Sequence, residues 1–154
     1  MDIKRNILLN PGPATTTDTV KRAQLVPDIC PREREFGQLM RDLGTDLGKV
    51  VHADPADWAT VLFCGSGTIC MDACVSSLIP EGGKLLIVNN GAYSARAAAM
   101  ARAYSVPHID LQFPIDGLPD LAEVERVLDE NPDIAAVYTT HQETGTGILN
   151  PVRE

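Results

Sequence analysis

The sequence predicts an α/β protein: a mainly parallel sheet in three layers, with helices on both faces. Three observations carry that expectation. From Thr60 onward, short apolar runs alternate with helical patterns, the arrangement that produces a covered parallel sheet. Polar loops rich in glycine and asparagine follow the apolar runs, where open α/β sheets bind their ligands. The chain has 154 residues, 44% of them hydrophobic, enough for one ordinary core and too few for a typical two-domain enzyme.

The elements follow in order. Residues 1–59 read as an amino-terminal arm and helical segment, and residues 60–154 as the first part of the α/β domain. "NPGPATTTDTV", Asn10 to Val20, carries two prolines and a glycine and is irregular, giving way to a short helix near Thr17 to Leu25. In "CPREREFGQLMRDLGTDLGKVV" the residues Phe36, Leu39, Met40, Leu43, Leu47 and Val50 stand at i, i+3, i+4, i+7, i+11 and i+14. That pattern predicts a helix with one buried face, opened by Pro31 in its first turn with Glu33 and Glu35 near the positive end. Strands are expected at Thr60–Cys64, Lys84–Asn89, Pro107–Leu111 and Ile134–Thr139. Helices are expected at Gly67–Ile79, Tyr93–Tyr104 and Leu118–Glu130.

A formal charge of -8, with 13 Lys and Arg scattered along the chain, argues against binding to nucleic acid or an acidic membrane. The triplet Ile7-Leu8-Leu9 is far short of a signal-peptide core, and no run approaches the ~18 apolar residues of a membrane span; a cytoplasmic protein is expected. Cys30, Cys64, Cys70 and Cys74 lack paired C-x-x-C spacing and are expected to be reduced, buried thiols. No metal site is expected: Cys70 and Cys74, one helical turn apart, would need two more ligands, and His52, His108 and His141 are distant in sequence.

Three loops fall at predicted strand ends: Gly65–Thr68, Asn89–Ser94 and His141–Gly147. In the first, glycines let the backbone approach an anion, N–H groups at the helix start point at it, and Ser66 and Thr68 add hydroxyls; the alternative is a turn in which Ser66 or Thr68 caps the helix. A Walker A loop needs a Gly-Lys-Ser/Thr ending, and no lysine lies between Lys49 and Lys84. A G-x-G-x-x-G fingerprint would need glycine where Cys70 stands, and an acidic residue where Asn89 and Asn90 end the next strand. A single small phosphate, as on pyridoxal phosphate, needs only this short cup. In the second loop Tyr93 could stack on a flat heteroaromatic ring or pack against the sheet. The third places His141, Glu143, Thr144 and Thr146 in a glycine-rich turn, either around a ligand or as a solvated loop.

With these loops in order, the sequence resembles the class V aminotransferases, pyridoxal-phosphate enzymes of the aspartate-aminotransferase fold type. "LLNPGPATTTDTVK", "GSGT" followed by "MDACVSSLIPEGGKLLIVNNGAYSAR", and "THQETGTGILNP" carry the likeness, which covers nearly the whole chain. The resemblance implies an incomplete, amino-terminal part of the large domain, with pyridoxal 5'-phosphate as cofactor. Ser66, Gly67 and Thr68 would bind the phosphate, Tyr93 would stack on the pyridine ring, Thr144 would bond near the phenolic oxygen, and Gly12 would lie near the substrate. Glu143 and His141 would shape their loop; Arg32 and Arg34 are candidates for phosphonate ligands, but on a Glu-rich helix start solvated, ion-pairing residues are expected. The implied reaction moves the amino group of 2-aminoethylphosphonate to pyruvate, giving phosphonoacetaldehyde and alanine; alanine:glyoxylate or serine:pyruvate exchange is the alternative. The partners would be a small amino donor, a 2-oxo acid and a second copy of the chain in a homodimer.

The family's Schiff-base lysine has no match, since none of Lys4, Lys21, Lys49 and Lys84 fits. No catalytic residue is therefore assigned within these 154 residues, and the chain by itself is expected to be inactive, at most a noncatalytic binding or dimerisation module.

Overall fold

The computed structural model describes residues 6–154; Lys4 lies outside them. The described residues divide into two compact units, with the boundary between Leu62 and Phe63.

In the first unit, α1 (Asp18–Ala23) is capped by Thr17, whose hydroxyl accepts from the Val20 N–H. α2 (Arg34–Val50) starts three residues after Pro31. The Glu33 N–H bonds the Cys30 carbonyl at 3.1 Å, so Pro31 and Arg32 form the middle of a turn, a position that suits the fixed φ of proline. Thr60 donates to the Gly44 carbonyl at 2.8 Å, fixing the return of the chain along α2. The apolar stripe predicted to be buried is not: no α2 residue is buried, and Leu39, Leu43 and Leu47 are 51%, 44% and 41% exposed. Helical spacing gathers apolar side chains on one face, but covering them needs a partner surface.

The second unit holds the sheet. β1 (Lys84–Asn89), β2 (His108–Gln112) and β3 (Ile134–Thr139) pair in the order β2-β1-β3, all parallel, with Val88 opposite Leu111 on one side and Thr139 on the other. α3 (Gly67–Ser77) and α4 (Ala92–Ala103) lie on one face, where Leu85 and Ile87 of β1 pack with Val75, Ala97, Ala98 and Ala101. The three alanines are fully buried, and their small side chains bring the α4 backbone close to the strands. On the opposite face, Leu121 and Val124 of α5 (Leu121–Glu130) line a shallow cleft with Val88 and Val137. Asp120 caps α5 by accepting from the Ala122 N–H.

Two expectations fail here. Thr60–Cys64 forms no strand: the run pairs with neither outer strand of the sheet, and it crosses the boundary between the two units, so its apolar composition serves a connection. The thiols are not buried either; Cys30 is half-buried, and Cys64, Cys70 and Cys74 are exposed. α3 is apolar around its circumference but buries only Val75, so cysteines on its other sides face outward. No described helix is long and apolar enough to cross a membrane.

Candidate functional site

The second unit gathers its polar loops at the carboxyl ends of the strands. At the first loop, Ser66 precedes α3 in extended conformation, and its side chain caps no helix N–H. The capping alternative is therefore not the one adopted. The Ser66 hydroxyl and the first N–H groups of α3 stand ready for an external acceptor, which the positive end of a helix favours. A β-carbon on Gly67 would meet nothing within 4 Å, whereas one on Gly65 would come to 3.0 Å from the Ile69 side chain. The loop is thus tight at Gly65 and open at Gly67.

The second loop leaves β1 through Asn89 and Asn90. Asn89 donates to Asp110 at 2.7 Å. Asn90, 1% exposed, exchanges amide hydrogen bonds with Asn150 at 2.8 and 3.0 Å, and Asn150 also donates to the Thr140 carbonyl at 2.7 Å. This buried amide pair ties the end of β1 to the chain beyond the third loop. Tyr93 follows in the first turn of α4, half-buried, with the Arg96 guanidinium 5.0 Å from its ring centroid. The same Arg96 donates from Nη1 to the Thr68 hydroxyl at 3.1 Å, so one side chain touches both the cup and the ring.

The third loop is a short antiparallel hairpin. Gln142 pairs with Leu149, the Glu143 N–H bonds the Ile148 carbonyl at 2.9 Å, and the Gly147 N–H bonds the Glu143 carbonyl at 2.7 Å. Gly147 has φ +78°, a conformation open to glycine at little cost. Glu143 is 1% exposed and accepts from the Ser94 hydroxyl at 3.2 Å. Its side chain lies flat on Gly91, where a β-carbon would fall 2.2 Å from Cδ. No described cation pairs with Glu143, so hydrogen bonding and close packing hold a buried carboxylate that would otherwise be costly. Thr144 and His141, on either side, are exposed. Tyr138 lies nearby on β3; burial, reinforced by the Glu143 charge, pushes its phenol above the ordinary tyrosine range against the lowering effects of Thr140 and Arg96.

Ser66, Gly67, Thr68, Tyr93 and Thr144 thus belong to one unit, linked by the Arg96–Thr68 and Ser94–Glu143 bonds. Gly12 belongs to the other, exposed in a turn with a cis Gly12-Pro13 bond. Arg32 and Arg34 are exposed, but no described carboxylate pairs with either. Lys84 opens β1 at the end away from these loops, and its ammonium bonds Asp133 at 2.9 Å, holding that carboxyl below its usual range. Lys49 pairs with Asp46 at 2.8 Å on α2.

Sequence reasoning assigned no role to Asn90, Ser94, Arg96 or Asn150. For Arg96 a signal was present: it stands three residues after Tyr93 in a helix, hence on the same face.

Residues 23–154 match the family model described as aminotransferase class-V. The chain is 36% identical over 152 residues to a 2-aminoethylphosphonate–pyruvate transaminase of Bacillus mycoides (strain KBAB4), covering 99% of this chain and 41% of that protein. It is 37% identical over 148 residues to a bifunctional phosphonoacetaldehyde hydrolase/aminoethylphosphonate transaminase of Clostridioides difficile (strain 630), covering 96% of this chain and 23% of that one. The crystal structure of an alanine–glyoxylate aminotransferase from Nostoc sp. superposes with TM-score 0.80 at 26% identity, covering 98% of this chain and 39% of that chain. A pyridoxamine-pyruvate aminotransferase from Mesorhizobium loti superposes with TM-score 0.83 at 22% identity, over 97% of this chain and 38% of that chain, and shows the shared fold.

Proposed function

The chain belongs to the class-V aminotransferase family, and on that premise we propose that its second unit is the phosphate and ring seat for pyridoxal 5'-phosphate in an enzyme that moves the amino group of 2-aminoethylphosphonate to pyruvate. The observation that carries the cofactor assignment is the uncapped start of α3, where the Ser66 hydroxyl bonds no helix N–H and Gly67 leaves open space. The donor set fits a phosphate monoester: helix N–H groups, two hydroxyls and an adjacent guanidinium. The named relatives support the choice of substrates.

Bound, pyridoxal phosphate supplies the electron sink that lets an amino group and a carbonyl oxygen change places. The residues of this chain bind and orient. Ser66, Gly67 and Thr68 would hold the dianion, the Tyr93 ring would shield one face of the flat heterocycle, and Thr144 would serve as a donor near its phenolic oxygen. Glu143, through Ser94 and Gly91, keeps the Thr144 loop against the Tyr93 loop. Lys84 is committed to Asp133, and Lys21 and Lys49 belong to the first unit, so no covalent anchor or general base is assigned among the described residues. We further propose a homodimer, supported by the open outer edges of β2 and β3 and the uncovered stripe of α2.

Calorimetric titration of the 154-residue chain tests the seat. Pyridoxine 5'-phosphate, which lacks the aldehyde and cannot label surface lysines, should bind at least about tenfold more tightly than pyridoxine, as expected for charge-assisted hydrogen bonds. Equal affinities would refute the seat. Incubation with 2-aminoethylphosphonate and pyruvate should give no alanine, and sustained alanine formation would show that the assignment of inactivity is wrong. The likeness to the Nostoc enzyme favours a second reading, alanine:glyoxylate exchange, which assays of the complete enzyme with each amino donor would separate from the first.

A further inference from the structure

Arg96 touches two of the residues assigned to the cofactor. Its guanidinium covers one face of the Tyr93 ring at 5.0 Å, a cation–π arrangement, and its Nη1 donates to Thr68 Oγ1 at 3.1 Å. The charge is otherwise uncommitted. Arg102 pairs with Asp110, and Arg126 with Glu123 and Glu130, but no described carboxylate pairs with Arg96. In a chain of net charge -8, a cation held beside a helix start without a counter-ion is poised for an external anion.

The hydrogen-bond inventory adds direction. A guanidinium has five N–H donors in a rigid plane and no acceptor; one goes to Thr68, and the others remain. Because the Thr68 oxygen accepts from Arg96, its own hydrogen is turned elsewhere and can be donated. The covered face of Tyr93 is closed to a flat ligand, which leaves the opposite face for stacking.

We propose that Arg96 is an anion-binding and positioning residue of the cup, which selects the phosphorylated form of the cofactor by orienting the Thr68 hydroxyl and adding a positive charge. This rests on the cofactor reading above, and the experiment separates the two. The wild-type chain, Arg96→Gln, Arg96→Lys and Thr68→Val are each titrated with pyridoxine 5'-phosphate and with pyridoxine at two ionic strengths. Arg96→Gln should weaken the phosphate ester about tenfold or more and change pyridoxine less than about twofold, while losing most of the salt dependence. Arg96→Lys should recover part of the loss, since it keeps the charge without the fork, and Thr68→Val should lose less than Arg96→Gln because the cation remains. A wild-type preference for the ester that persists in Arg96→Gln overturns this inference and leaves the seat standing. Equal weakening of both ligands also overturns it, reducing Arg96 to a brace for Tyr93. No wild-type preference for the ester overturns the seat and the inference together.

Discussion

The two units handle apolar residues in opposite ways. None of residues 6–62 is buried, although α2 carries an apolar stripe as regular as any in the chain. Every buried core residue, from Val75 through Leu86 and Ile87 to Val127, lies in residues 63–154. Both regions contain amphipathic helices; what separates them is the sheet. Three strands present two broad faces against which small helices can close, and the hydrophobic effect acts only on area removed from water. The polar site follows the same division, because its loops hang from strands and helix ends that the core holds in place.

Optical reporters divide along the same line: the single tryptophan, Trp58, lies in the first unit, and Tyr93, Tyr104 and Tyr138 all lie in the second. The largest effect should come from Leu86→Ala. Leu86 is fully buried in the central strand, and the substitution should cost about 2–5 kcal/mol, seen as an early tyrosine transition in urea. A loss below about 1 kcal/mol would break the contrast between the units.

Gly91→Ala should come next. The new methyl would fall within 2.2 Å of Glu143 Cδ, forcing apart two loops of the site at a cost of about 1–3 kcal/mol. Hydrogen exchange should show Glu143 and Gly147 losing amide protection while β1 keeps its own; unchanged protection would mean that the Glu143 packing does not join the loops. Leu43→Ala in α2, by contrast, should cost no more than about 1 kcal/mol, since Leu43 is already 44% exposed. A larger loss, measured on the Trp58 signal, would show that the stripe is covered in solution.

The smallest effect is a pH dependence. Burial raises the Tyr138 pKa in the folded state, so the stability it contributes is complete below the unfolded value of about 10 and is lost as pH rises through the folded value. Tyr104, raised by its hydrogen bond to Asp72, acts in the same direction. Tyr138→Phe should reduce the alkaline loss of stability in the second unit, and the double variant with Tyr104→Phe should reduce it further. Equal alkaline slopes in wild type and both variants would remove the effect from the second unit.

Period and punctuation in the chain were enough to specify most of its local elements. Lys84–Asn89 and Ile134–Thr139 are strands with the bounds that their apolar runs predict, and Gly67 opens α3 directly after the Gly-Ser-Gly-Thr turn. The parallel sheet and its loop-lined carboxyl edge follow from alternation alone, because helices between strands leave few other topologies. Long-range pairing and coverage were decided in three dimensions. Thr60–Cys64 has strand composition but pairs with no strand of the sheet. The cysteines have apolar neighbours in sequence but no surface packed over them. Glu143 is expected to shape its loop, but how it does so is not written locally: it is buried because Gly91, distant in sequence, leaves room for it. Arg96 acquires its meaning from Thr68, 28 residues away. Backbone periodicity is local and is written in neighbouring residues. Burial and side-chain partnership depend on which surfaces meet, and that is set only when the sheet and its helices close on one another.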